Sequence, residues 1–207
     1  MPWKRRLQLA AVAVALVTYS LLSHYSNSHA QARDLATGLA LAPILILGAV
    51  LVSRALGLIA CILALGVGLY LLKDYWPLFK QNFAWLYFTQ QFGFYGLMAF
   101  SFGITLMGPR VPLCTLLADR VHGPLSPAEL RYTRQVTAAW TLFFILNMMA
   151  TLLLFEFASL KTWSFFVNFL SFPLVALMFA CEYAVRRRLL PQVQGSGLIA
   201  TLKVYFG

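Results

Sequence analysis

The chain alternates long apolar runs with short polar breaks. The runs lie at about 7–23, 35–52, 55–72, 83–107, 135–155 and 164–184. A helix crosses a bilayer with about 20 mainly apolar residues, in a range of roughly 17–25. Each run meets or nearly meets that length, so the pattern predicts six transmembrane helices. The predicted breaks are HYSNSHAQARD (24–34), a minimal hairpin at Ser53-Arg54, KDYWPLFKQN (73–82) around Pro77, a long polar segment from Gly108, EFASLKT (156–162), and the RRR of 186–188.

Composition strengthens this reading. Of 207 residues, 61% are hydrophobic and 11% are charged. Ordinary soluble domains carry about 25% charged residues, and a soluble chain of this size cannot hide so much apolar surface. The net charge of +10 is assigned to loops and lipid head groups, not to nucleic acid. Cys61, Cys114 and Cys181 are widely spaced and form no CxxC or Cys/His cluster, so neither a disulfide framework nor a zinc site is expected.

Charge also orients the predicted spans. With an inner N-terminus, twelve of the sixteen Lys/Arg fall on the inner side and four (Arg33, Lys73, Lys80 and Lys161) on the outer side. The positive-inside rule then places both termini in the cytoplasm. The expected fold is an all-α polytopic bundle of six transmembrane helices in one domain. Trp3, Trp76, Trp85 and Trp163 lie near span ends, where indole rings favour the interface. The KRR, apolar run and AQA at 30–32 also have the form of a cleavable signal peptide. Cleavage would leave five spans; the uncleaved chain, which is the expected form, keeps the first helix.

Small residues at four-residue spacing permit close helix approach in lipid. They occur as Ala11/Ala15, Ala60/Ala64/Gly68 and Ala99/Gly103, and Pro43 and Pro173 predict kinks.

Candidate chemistry is sparse. The one ionisable group inside a predicted span is Glu182, four residues before Arg186, as an i,i+4 pair would require. Gln90, Gln91, Asn147 and Asn168, with Glu182, form a candidate polar lining for a membrane cavity, or else hydrogen-bond across helices. His24 and His29 lie in a predicted outer loop, five apart, with Asp34 as the sole nearby third ligand. No HExxH, GxSxG or P-loop pattern occurs, and no pair of intramembrane histidines could ligate a haem. The chain is therefore expected to be non-enzymatic, with no cofactor and no metal.

The polar segment GPRVPLCTLLADRVHGPLSPAELRYTRQ (108–135) holds four of the sixteen basic residues and two of the six acidic ones. From Pro112 to His122, Leu113, Leu116, Leu117 and Val121 share one helical face, which predicts a short amphipathic helix at the interface. Gly123-Pro124 ends it. Ser126, Pro127 and Glu129 then form a capping box, so a helix starts at 127 and runs into the fifth span. Arg120, Arg131 and Arg134 are the candidate contacts to lipid or to an anionic partner; as orientation anchors they need no partner.

Pro112, Leu113, Leu125, Pro127, Trp140, Phe143, Phe144, Asn147, Thr162, Trp163 and Phe166 lie across about 111–170. This stretch resembles the second half of the bacterial intracellular septation protein A family. The ending FACEYAVRRRLLP departs from that family. The chain is more similar still to uncharacterised inner-membrane proteins encoded beside fatty-acid-like or aryl-polyene synthesis enzymes. The resemblance implies a bacterial inner-membrane location and a role in envelope or polyene-lipid biogenesis. That role would be as an accessory protein with membrane lipids and other envelope proteins as partners, with oligomers allowed, or as a small lipid transporter.

Overall fold

The computed structural model describes residues 3–190, and within them the fold is entirely helical. Eight α-helices follow in chain order. They are α1 (Trp3–Ser28), α2 (Arg33–Leu56), α3 (Leu58–Gln81), α4 (Phe83–Gly103), α5 (Leu113–His122), α6 (Pro127–Phe157), α7 (Leu160–Phe165) and α8 (Ser171–Leu189). Lys203 lies outside the described residues.

Four helical segments are long and apolar enough to cross a membrane: Arg33–Leu56, Leu58–Gln81, Pro127–Phe157 and the α7–α8 stretch Leu160–Leu189. Helices α1 and α4 are not among them. Helix α1 ends in the polar SHYSNS, and α4 carries the Gln90-Gln91 pair in its middle. Long apolar side chains point away from the protein along these helices. On α3, Ile59, Ile62, Leu63 and Val67 are all exposed, and Cys61 is the buried residue. Such a surface is unfavourable in water and suits lipid chains, where backbone polar groups must be satisfied within the helix.

Several boundaries differ from the sequence expectation. The predicted outer loop 24–34 is mostly helix, because α1 runs on to Ser28 and α2 starts at Arg33. Ser23, Ser26 and Asn27 are polar but buried, so they continue the helix to face protein and not water. The predicted break at 73–82 is also helical, with Pro77 inside α3 and Asn82 ending it. The hairpin between the second and third runs turns at Gly57, at φ +88°, and not at Ser53-Arg54. That left-handed conformation favours glycine.

The chain divides into two compact units, one of residues 3–90 with 153–169 and the other of 91–152 with 170–190. In the first, α1 packs on α2 and α7, and α2 packs on α3. Ala36 and Ala40, wholly buried one turn apart on α2, allow close approach there. The expected close-packing stripe Ala60/Ala64/Gly68 is not buried: Ala64 is exposed, and nothing lies within 4 Å of a Cβ placed at Gly68. Ala11 and Ala15 are exposed as well. Trp85, Phe88, Phe155 and Trp163 form an aromatic cluster, with Phe88 and Phe155 stacked at 4.4 Å. Trp163, expected at the membrane interface, is 1% exposed inside this cluster.

In the second unit, Tyr95 and Ala99 of α4 meet Trp140 and Phe144 of α6 in the main core. Phe102, Phe143 and Phe179 add edge and tilted ring contacts. Gly103 lets Thr141 come close.

Candidate functional site

Helix α5 is held at its first turn by threonines. The amide of Leu113 donates to Thr105 Oγ1 at 3.0 Å, and that of Cys114 donates to Thr137 Oγ1 at 3.1 Å. Side chains from outside the helix thus satisfy amides that a helix start leaves without partners. One residue on, Thr115 Oγ1 shares a 2.7 Å hydrogen bond with Thr133 Oγ1. Thr133 and Thr137 are one turn apart on α6, so a threonine ladder fixes α5 along it. The face of α5 turned to protein runs through the buried Thr115, whereas Leu116 and Leu117 are exposed. The thiol of Cys114 is pushed above its usual range, mainly by burial.

The capping box takes its expected form. The Ser126 amide donates to Glu129 Oε2 at 2.8 Å, and the Glu129 amide lies 3.4 Å from Ser126 Oγ. Helix α6 starts at Pro127 and continues without interruption to Phe157.

The three candidate arginines differ in placement. Arg134 donates to the Leu106 carbonyl at 3.2 Å, and Arg110 donates to the Ile104 carbonyl at 3.4 Å. Both cations sit on carbonyls just past the end of α4, where a helix C-terminus carries partial negative charge. Arg120 and Arg131 are exposed, on α5 and the first turns of α6. Glu182 Oε1 accepts from the Tyr132 hydroxyl at 2.9 Å and lies 3.6 Å from Arg186 Nε.

Of the candidate lining residues, Gln90 and Asn168 belong to the first unit and Gln91, Asn147 and Glu182 to the second. Gln90 is half-buried and donates to the Ala40 carbonyl; Gln91 is half-buried. Asn147 is buried, and its amide bonds back to the Phe143 carbonyl of its own helix at 2.8 Å, not across helices. Four residues on, Thr151 is wholly buried and its Oγ1 has no partner.

Asn168 belongs to a second constellation in the first unit, centred on Ser164. Its amide donates to the Ser164 carbonyl at 2.9 Å and reaches Ser164 Oγ at 3.1 Å. It sits in the middle of a wide π turn, Phe166–Leu170, a form often found at functional sites. From α1, His24 Nδ1 lies 3.3 Å and Asn27 Nδ2 lies 3.4 Å from the same hydroxyl. Tyr87 of α4 reaches Ser23 Oγ at 3.4 Å. Ser164 is fully buried, and Asn27 Oδ1 and Trp163 Nε1 are buried with no partner. Sequence reasoning placed His24 in a loop and passed over Asn27 and Ser164. The available signal was Ser23, Ser26 and Asn27 falling on one face of a continued helix.

Comparison with protein-family models, curated proteins and solved structures found no match.

Proposed function

We propose that this chain is a six-span protein of the bacterial inner membrane, with both termini inside. In this reading α1 and α4 span together with the four strongly apolar segments, and 108–134 lies at the inner face. The distribution of basic residues supports that orientation. The function is a non-enzymatic one in envelope or polyene-lipid biogenesis. Segment 108–134 is the contact surface, taking up anionic lipid head groups or the acidic patch of a partner protein through Arg120 and Arg131.

The observation that carries this reading is the pinning of α5. Thr105, Thr133 and Thr137 hold its first turn, Arg134 is spent on the Leu106 carbonyl, and Arg120 and Arg131 stay exposed. A preorganised surface loses little ordering entropy on binding. Leu116 and Leu117 add apolar side chains suited to the head-group boundary. The test is lipid mass spectrometry and pull-down in mild detergent with Arg120→Gln/Arg131→Gln. Loss of co-purifying anionic lipid or partner is expected while the protein still inserts. Unchanged recovery of both sinks the reading.

A second reading, a small lipid or polyene transporter, draws support from Asn147 and Thr151 on α6. Thr151 keeps a buried hydroxyl without a partner one turn from Asn147, and buried polar groups normally find one. Asn147→Leu is expected to impair lipid export while the protein accumulates. Normal export removes this reading.

A further inference from the structure

We propose that His24, Ser164 and Asn27 form a proton-operated switch, in which one proton taken up by His24 reverses the hydrogen bonds of the Ser164 hydroxyl and turns the Asn27 amide. The ligand of this site is a proton. The inference uses the first unit alone and is independent of the inner-face reading.

A serine hydroxyl has one proton to give and two lone pairs to fill. Two amide nitrogens, which only donate, lie on Ser164 Oγ: Asn168 Nδ2 at 3.1 Å and Asn27 Nδ2 at 3.4 Å. They fill both lone pairs. The hydroxyl proton then points to His24 Nδ1, 3.3 Å away. This count closes when the ring is neutral and carries its proton on Nε2. Phe165 and Phe169 flank the imidazole edge-on, with centroids at 6.1 and 5.2 Å, and hold its orientation.

Protonated His24 donates from both ring nitrogens. Ser164 Oγ would then face three donors with two lone pairs, and its own proton would have no acceptor. Asn27 resolves this conflict. Its Oδ1 is buried without a partner, and its amide bond to Ser164 is the longest of the three. A half-turn of that amide exchanges nitrogen and oxygen, so Oδ1 accepts the Ser164 proton. Asn168 and His24 then fill the lone pairs, and the count closes again. Asn168 cannot make this exchange cheaply, because its nitrogen also serves the Ser164 carbonyl at 2.9 Å. Ser164 Oγ thus has two fully paired arrangements that differ by one proton, with one group of the Asn27 amide left without a partner in each, which is what a local switch needs.

The surroundings set the resting state. Burial first, and then Lys161 on α7 and His29 beyond the end of α1, oppose a positive charge on His24. On α2, Asp34 is already engaged by Lys80. From α4, Tyr87 donates its hydroxyl to Ser23 Oγ, and Tyr19 on α1 donates to the Leu39 carbonyl. The neutral arrangement is therefore the resting one, and acid throws the switch. Ser164 leads into the π turn through Asn168, and Trp163 beside it is a buried reporter with a partnerless indole N–H.

The test is NMR of the full chain in lipid nanodiscs, with 15N-labelled His and Trp, between pH 8 and pH 5. At pH 8, His24 Nδ1 is expected to carry no proton. The Trp163 indole resonance is expected to move with the midpoint of His24. Ser164→Ala removes a partner from both states of the ring, and the bond lost by the protonated ring is the stronger, charge-assisted one, so the His24 midpoint should fall by about half a unit, on the scale of one hydrogen bond. Asn27→Leu should leave His24 titrating but silence the Trp163 response. An unchanged Trp76 indole resonance, which reports the Asp34 contact, confirms that a variant is folded. A proton on Nδ1 at pH 8 overturns the proposal from the unaltered protein alone. So does a Trp163 signal that ignores the His24 titration, or a His24 midpoint unmoved in folded Ser164→Ala.

Discussion

Tyr132 on α6 donates to the Glu182 carboxylate on α8 at 2.9 Å, and the same hydroxyl lies 3.0 Å from the Glu182 carbonyl. One phenol therefore holds both the side chain and the backbone of the facing helix, while Arg186 approaches the carboxylate from one turn on. Tyr132 is buried, so water cannot readily replace the lost partner. Tyr132→Phe is expected to destabilise the protein by about 1.5 kcal/mol, the scale of a hydrogen bond to a charged group. Glu182→Gln keeps an acceptor for the phenol and loses only the ion pair, so its loss should stay below about 1 kcal/mol. Unfolding in mild detergent measures both; an equal loss for the two variants would contradict the dominant role given to the phenol.

The threonine ladder yields a second prediction. Thr137 Oγ1 accepts from the Cys114 amide and donates to the Thr133 carbonyl. Thr137→Val keeps the shape and removes the acceptor, leaving the Cys114 N–H stranded at the start of α5. The expected loss is about 1–3 kcal/mol, the cost of an unsatisfied buried donor. Thr137→Ser should restore most of it. Hydrogen exchange at 113–116 should rise in the valine variant and not in the serine one; equal protection in both would show that the hydroxyl does not hold α5.

The elements that were legible in the sequence are the ones set by neighbours along the chain. The Ser126/Glu129 box and the helix start at Pro127 depend on residues three apart. Helix α5 from 113 to 122 follows from its amphipathic spacing and the Gly123 stop. The Ser164 constellation was not legible, because its partners His24 and Asn27 lie 140 and 137 residues away in sequence. A π turn also has no compositional mark, and Asn168 reads the same in an α-helix. The polar end of α1 was misread as a loop because polarity in sequence does not distinguish a side chain facing water from one facing Tyr87 or Ser164. The six-run pattern foresaw an all-helical chain, and four segments carry the length and hydropathy of spans on their own. Trp163 shows a related limit: its place near a span end gave no sign that tertiary packing buries it.

Two glycines on α4 should respond oppositely to alanine. At Gly96 a new Cβ would lie 3.5 Å from Met148 Sδ, an ordinary contact with a flexible side chain. At Gly103 it would lie 3.2 Å from Thr141 Cγ2. Thr141 is β-branched, and its hydroxyl is held by the Thr137 carbonyl at 2.8 Å, so it cannot rotate away freely. Gly96→Ala should gain up to about 1 kcal/mol from helix propensity. Gly103→Ala should lose that gain to overpacking, which typically runs about 1–3 kcal/mol. Thermal unfolding of the two variants decides it; a more stable Gly103→Ala protein would mean that Thr141 yields.

Asp34 joins the start of α2 to the end of α3. Its carboxylate accepts from Lys80 Nζ at 2.6 Å and from Trp76 Nε1 at 3.0 Å. All three residues lie outside the apolar runs 35–52 and 55–72. The Lys80 hydrogen bond first, and the Trp76 bond second, hold the carboxyl below its usual range. A carboxyl with a depressed folded value contributes stability that is present above its unfolded value, about 3.9. That contribution is lost as pH falls through the lower folded value. The melting temperature should therefore fall on acidification below about pH 4, through this group. The pair is exposed, with Asp34 at 60% and Lys80 at 40% side-chain exposure, so solvent and salt screen it. Asp34→Asn should accordingly change stability little at neutral pH and flatten the acid limb. Added salt should weaken the Lys80 share and spare the neutral Trp76 donor, so the Trp76 indole resonance should hold its position in high salt and move in Asp34→Asn. Melting curves from pH 7 to pH 3 test the first half; identical acid limbs in the two proteins would show that this tie does not govern acid stability.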